Sequence, residues 1–435
     1  MKAQRAIDKY LAQYALLPTD PPLPPERWQH VLVAPCFDEA PGFIALWQSE
    51  FKQTSLLIIL VLNRPESSAD TINDPVRLAL NEYSSTGLQS GYSLHQLSHS
   101  CSVLCIDLEA IEGATPSKEG VGRARRVGCD LALWLHRKGV IESPWIYSGD
   151  ADALWPAQLL TTDWPNATSA VVVPFTHRSS PAQSGADNPT GAVIEATLLY
   201  ELKLLHYALH LQRIGSTYGF HTLGSSCVFS GEAYAAVRGM PLRNAAEDFY
   251  LLNKLAKVAP IHSARGDGVI ITPRISTRVP FGTGPAVDKL LGVGDLYDEP
   301  LFYDAHCFDV LAKLRALFDD WVEIAAPDPR QQLGQCFGPA MGADLHELLS
   351  TWHYLDALAH IRRAGAGPAQ RIQHSTTWFD GFKILKIIHH LRDRYYPNVT
   401  FNESVKAPRH WPLAHDRTPN GLLSAIHRKL GWFQS

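Results

Sequence analysis

The chain lacks any apolar run long enough to cross a membrane: the longest, Leu56 to Leu62, ends after seven residues, where a spanning helix needs ~20. It also lacks a basic excess. Lys and Arg number 39 against 43 Asp and Glu, a formal net charge of −4, which argues against a phosphate-backbone partner and so against nucleic acid. Paired Cys-x-x-Cys spacing is absent among Cys36, Cys101, Cys105, Cys129, Cys227, Cys307 and Cys336, which removes the commonest zinc frameworks and reads as reduced core thiols in a reducing compartment. The stretch Met1 to Leu17 mixes Lys2, Arg5, Asp8 and Lys9 with scattered apolar residues, without the continuous apolar segment of a secretory signal. It reads as a short amphipathic helix. These absences together point to a cytoplasmic protein with no membrane span, and they leave a peripheral membrane contact open. There is no internal repeat.

What is present is ample apolar material, 46% of 435 residues, more than one compact core usually takes up. The prolines between Pro18 and Pro25 make a stiff linker after the first helix. From Val31 on, short β-rich runs alternate with helical stretches. Val31–Pro35, Leu56–Leu62, Ser102–Leu108, Trp145–Ser148, Ala170–Pro174 and Val269–Ile271 predict strands, and Leu78–Tyr83, Val121–Lys138 and Ala192–Arg213 predict helices. Such alternation predicts an α/β, Rossmann-like fold: a mostly parallel sheet with helices on both faces, and a ligand site beyond the carboxyl ends of the strands. Past about Pro285 helical periodicity takes over, in Ala305–Ala325, Asp344–Arg363, Trp378–Tyr395 and Leu422–Trp432. The expected organisation is therefore 1–30 as helix and linker, 31–285 as the α/β domain, and 286–435 as a mainly helical region. Ser179 to Asn188, rich in Ser, Pro, Gly and Asp, reads as a loop, either a lid or an ordinary surface connection.

The chemistry gathers where strands end. Ser148-Gly149-Asp150-Ala151-Asp152 closes a predicted strand. In extended chain an i, i+2 pair points to one side, and hard carboxylate oxygens suit Mg²⁺ or Mn²⁺ bridging phosphates. Arg123, Arg125 and Arg126 crowd a glycine-flanked helix start, where backbone N–H groups and the dipole favour anions. Arg123 and Arg126, at i and i+3, make the expected phosphate pair, against the alternative of solvated surface charge.

Four blocks in this order resemble family 2 glycosyltransferases and related enzymes of the GT-A fold: Val31-Leu-Val-Ala-Pro35-Cys-Phe37-Asp38-Glu39, with Phe37 and Asp38 where the family usually has tyrosine and asparagine; Gly120 to Gly128; Gly149-Asp150-Ala-Asp152; and Leu223 to Ser226, Arg238 to Pro241 and Glu247 to Leu252. The resemblance covers roughly residues 31 to 285. It implies transfer of a hexose from a UDP- or GDP-sugar donor to a hydroxyl acceptor, a sugar or small molecule, with Mn²⁺ or Mg²⁺ at Asp150 and Asp152. Pro35, Phe37 and Glu39 would pack on base and ribose, or simply end a strand. Asn63 stands where relatives often carry an aspartate toward the base, and is equally a turn-former. By resemblance Asp248 is the base of an inverting transfer and Glu247 orients the acceptor, the other reading being an acidic pair favoured by a helix dipole. The usual metal-binding histidine near Ser276 to Gly284 is missing, so Arg278 would pair with the donor phosphates, or His262 would complete the metal shell. Alternatives within the resemblance are a retaining enzyme acting on a small acid such as glycerate, and a non-catalytic relative that still binds nucleotide-sugar. A sugar-nucleotide-forming nucleotidyltransferase would carry a glycine-rich basic loop after strand one, and Cys36-Phe37-Asp38-Glu39 is acidic and glycine-free.

Overall fold

A computed structural model describes residues 2–18, 21–178, 189–276, 278, 280, 282–324, 328–365, 367–411 and 416–433. The segment Ser179–Asn188, read above as a lid or surface loop, lies outside them.

Among the described residues the strands are β1 (His30–Cys36), β2 (Leu56–Leu62), β3 (Ser85–Gln89), β4 (Tyr92–Gln96), β5 (Cys101–Asp107), β6 (Trp145–Ser148), β7 (Ala153–Leu154), β8 (Ala170–Val172), β9 (Phe175–His177), β10 (Cys227–Ser230), β11 (Ile261–Ser263) and β12 (Val269–Ile271). Nine of them form one sheet in the order β11-β8-β10-β6-β1-β2-β5-β4-β3. Every residue of β2 is buried, as its unbroken apolar run requires of a strand covered on both faces. Its parallel partners β1 and β5 run in register with it from Leu56 to Leu62. Only β4 and β10 run against the general direction, pairing antiparallel with their neighbours. The chain is thus mixed α/β with a large, mostly parallel sheet.

Helix Gly120–Arg137 buries Ala124, Val127, Gly128, Leu131 and Leu135, a stripe at helical spacing. Gly128 lies so close to the sheet that a Cβ there would stand 2.5 Å from Val33 Cγ1, so nothing larger fits. The other face is filled by Phe43, Ile44 and Trp47 of helix Phe43–Glu50, packed over Leu32, Ala34, Ile58 and Leu60. Each such burial is worth roughly 1.5–3 kcal/mol. A smaller sheet, β7-β12-β9, is built from the segments that follow the main strands.

The described residues separate into two compact units. One takes the chain up to Leu202, His221–Leu296 and residues 416–433; the other takes Lys203–Phe220 and residues 297–411. In the first unit the sheet is joined at both sequence ends. Helix Lys2–Gln13 buries Ile7 and Tyr10, and the Tyr10 hydroxyl donates to buried Asp130 at 2.5 Å. Helix Pro419–Leu430 brings His427 Nε2 within 3.7 Å of Glu201, a fully buried carboxylate that also accepts from the His177 ring at 2.8 Å and from its backbone N–H at 2.7 Å. Trp432 then packs on Phe175 and His221.

The second unit is helical over Ala305–Glu323, Pro329–Phe337, Pro339–Ser350, Tyr354–Ala364, Pro368–Trp378 and Gly381–Arg394. The single helix expected over Asp344–Arg363 is broken at His353, whose φ is +53°. Just before the break the hydroxyls of Ser350 and Thr351 bond back to the carbonyls of His346 and Leu348, competition that weakens a helix from within. The helix expected from Trp378 starts instead after Asp380, which caps it by accepting from the Lys383 N–H.

Candidate active site

At the end of β1 the chain turns through half-buried Phe37 and through Asp38, whose φ of +54° is left-handed. The Asp38 N–H donates to Asn73 Oδ1 at 3.1 Å, and Asn73 in turn donates to the Asn63 carbonyl at 3.0 Å. Asn63 itself is buried and bonds its N–H to the Cys36 carbonyl, so it braces this turn. Buried Pro35 lies inside β1. The turn delivers Glu39, with a nearly buried carboxylate, to two guanidiniums: Arg274 at 2.7 and 3.0 Å, and Arg278.

At the end of β6 the Gly149 N–H is held by the Val33 carbonyl, and Asp150 to Asp152 form a tight turn closed by Ala153 N–H to Asp150 carbonyl at 3.1 Å. The sequence reading placed both carboxylates on one side of an extended chain. The turn sends them to different arginines instead: Asp150 to Arg125, and Asp152 to Arg274 at 3.0 Å. Burial, first, and then the nearby charges of Glu39 and Asp150 push the Asp152 carboxyl up to about 6, with Arg274 opposing.

Arg125 is the hub. Its side chain is 4% exposed, and it donates to Glu247 at 2.9 Å, to Ser148 Oγ at 3.0 Å, to the carbonyls of Gly149 (2.8 Å) and Gly224 (3.2 Å), and to Asp150. Burial works against its charge, but Asp150 and Glu247 raise it above the ordinary guanidinium range. Of the three clustered arginines, sequence reasoning chose the other two. Arg123 is taken up by Glu112 and Glu119. Arg126 donates to the carbonyls of Met240 and Tyr14 and lies 3.5 Å from Asp130. The overlooked signal was that Arg125 sits in the buried stripe of its helix, where a charge survives only with partners. Arg274 was also missed, although it follows β12 at the ligand-bearing edge of a strand.

Glu247 and Asp248 open helix Glu247–Leu255 directly after Ala246, a second left-handed residue (φ +58°). Glu247 is buried against Arg125, and its carboxyl is raised by burial, with Arg125 opposing. Asp248 accepts from the Phe249 N–H at 2.6 Å. Burial, and then the charge of Glu247, push it up to about 7. Gly224 is wedged between these groups: a Cβ there would stand 2.9 Å from Arg125 and 3.3 Å from Asp248 Oδ2.

The structure therefore brings together Glu39, Asp150, Asp152, Glu247, Asp248 and Arg278 of the expected set, with Arg125 and Arg274 added. It does not bring His262. That residue is exposed on β11, three strands from β6, about 14 Å away at ordinary strand spacing. Among the described residues no three His, Cys, Asp or Glu side chains converge to hold a metal ion. A polar cleft of about 460 Å³, lined by Arg27, Ser55, Ser84, Gln96 and His99 among others, opens at the amino ends of the strands, on the opposite edge from the carboxylates.

No family model matches the chain, and no curated protein does. Among solved structures, a mannosyltransferase from Pyrobaculum calidifontis in complex with GDP-Man and Mn²⁺ is 12% identical, over 90% of this chain and 94% of that one, with a TM-score of 0.33. A mycobacterial protein is 15% identical over 62% and 68%, with a TM-score of 0.28.

Proposed function

We propose that the chain is a nucleotide-sugar glycosyltransferase that moves a hexose from a UDP- or GDP-sugar to a hydroxyl acceptor with inversion, Asp248 acting as base. One observation carries this reading: Arg125 joins Asp150, from the end of β6, to Glu247, beside Asp248, so that a donor-side carboxylate and an acceptor-side carboxylate share one buried cation. The ordered sequence blocks lead to the same residues.

An inverting transfer needs a group that accepts the acceptor's proton as the sugar carbon is attacked from the side opposite the leaving diphosphate. A carboxyl held near neutrality suits that task, and Asp248 stands at about 7. Glu247, fixed by Arg125, orients the acceptor. On the donor side Arg274 and Arg278 offer guanidinium forks to phosphate oxygens, and Phe37 packs against the base.

Five carboxylates, Glu39, Asp150, Asp152, Glu247 and Asp248, face three guanidiniums, Arg125, Arg274 and Arg278. When all are ionised, the negative excess fits a divalent cation. Asp150 and Asp152 would hold Mn²⁺ or Mg²⁺, which supplies neutralisation of the leaving diphosphate, the remaining ligands coming from the donor. His262 has no part in this assignment.

Asp248→Asn tests the reading. Thermal shift by UDP or GDP with Mn²⁺ persists, while transfer falls by something like 10²–10⁴-fold. Near-normal turnover, or a wild-type protein that neither binds nor hydrolyses any sugar nucleotide, overturns it.

A further inference from the structure

Beside the helix that carries Asp248 lies a group of cations that the proposed chemistry does not use. Arg243 stacks on Tyr250, its guanidinium carbon 3.8 Å from the ring centre, and Arg238 lies 4.9 Å over the ring of Tyr14. Tyr14 also links Arg238 to Arg126, which donates to the Tyr14 carbonyl at 2.6 Å and to that of Met240 at 3.0 Å. Lys254 follows Tyr250 by four residues, on the same face of the helix, and Lys257 comes one turn later. Arg238, Arg243 and Lys254 are exposed, and among the described residues none of the three is paired with a carboxylate. Burial and the charges of Arg126, Arg238, Arg243 and Lys257 all push the Lys254 ammonium down. Like charges so placed repel one another unless an anion lies among them.

The loop 238–246 is also held in place. The Gly122 N–H donates to the Arg243 carbonyl at 2.9 Å, so the start of the Arg125 helix fixes the segment that presents Arg238 and Arg243. Lys254 is six residues past Asp248, about 9 Å along the axis.

We propose that Arg238, Arg243 and Lys254 form a binding site for a phosphate ester group on the acceptor, which seats the acceptor's hydroxyl end toward Asp248. A dianionic phosphate matches several cations better than a single carboxylate, and a guanidinium fork binds it in a bidentate way. The inference rests on the transferase reading for the word acceptor; the anion site itself does not.

Inorganic phosphate and glucose 6-phosphate, titrated against the full chain by calorimetry, are the first probes, and vesicles with and without phosphatidate are the second. Arg243→Gln with Lys254→Gln weakens phosphate binding at least tenfold, leaves the melting transition in place, and raises KM for a phosphorylated acceptor while kcat and donor hydrolysis hold. Asp248→Asn leaves phosphate binding unchanged. Competition by glucose 6-phosphate identifies a soluble acceptor, whereas retention on phosphatidate vesicles that the double variant loses identifies a lipid headgroup. Phosphate bound equally by wild type and double variant, or by neither, overturns the site. A protein that binds phosphate through Arg243 and Lys254 yet ignores every sugar nucleotide overturns the transferase reading and keeps the anion site.

Discussion

Asp248 owes its proton affinity first to burial and then to the charge of Glu247, and the second of these can be removed without emptying the site. If ionised Asp248 is the base, turnover falls as pH drops through about 7. Glu247→Gln deletes the negative neighbour and leaves Arg125 freer to favour the ionised form, so the acid limb of kcat/KM moves to lower pH. A profile measured from roughly pH 5 to 9 checks this, and an unmoved limb separates Asp248 from the titrating group. At this scale the sequence was informative wherever a residue's role follows from its place after a strand: Glu39, Asp150, Asp152 and Arg278 reach one neighbourhood. It misled where the role depends on helical phase. Arg123 and Arg126 share a face, as their spacing requires, but that face meets Glu112, Glu119 and the Tyr14 and Met240 carbonyls, whereas Arg125 points inward. His262 drew attention only as a potential ligand, and nothing in single-sequence spacing tells that β11 is the edge strand.

Elements set how closely these residues approach. The three-residue turn Gly224–Ser226 leads into β10, whose antiparallel insertion between β6 and β8 carries Gly224 to the carboxyl edge of β6. Gly224→Ala places a methyl group against the Arg125 guanidinium and Asp248. The expected result is transfer reduced on the order of 10²-fold, as small displacements from reacting geometry do, with a melting temperature lowered by only a few degrees, as overpacking worth about 1–3 kcal/mol produces. Wild-type turnover in that variant means the pair tolerates displacement and does not act at the reaction centre. β10 was not legible beforehand: Cys227-Val-Phe-Ser230 is short and bounded by polar turns, and its pairing is a tertiary choice. The β3–β4 hairpin was missed for another reason, since Ser85–Gln89 is largely exposed and has no alternating pattern. The long buried strands announced themselves because β2 is apolar throughout and β1 and β5 are largely so, and Leu56–Leu62 and Trp145–Ser148 end where the sequence placed them.

Across the whole molecule, the helical residues after 296 do not stay together: residues 416–433 return to the unit that holds the sheet. Their anchor is Glu201. Burial raises its carboxyl, but His177 and His427 outweigh this and bring it down to about 2. A carboxylate held below its ordinary value of 4.5 contributes stability above that pH, which is lost as pH falls toward 2. Glu201→Gln therefore lowers stability at pH 7, by on the order of 3 kcal/mol, and flattens the loss on acidification; denaturant unfolding at pH 7 and near pH 3 measures both. Equal acid sensitivity in the variant would assign that loss to other carboxylates. The return of residues 416–433 also bears on how the protein is made. The carboxylate and arginine cluster is complete in sequence at Arg278, yet His427, the partner that covers Glu201, follows about 150 residues later, roughly 7–30 s at ordinary rates of synthesis. For that interval a growing chain carries a complete set of site residues on a sheet whose buried carboxylate and Phe175 lack their last neighbours, so a chaperone that engages this nascent chain should find its exposed apolar surface there.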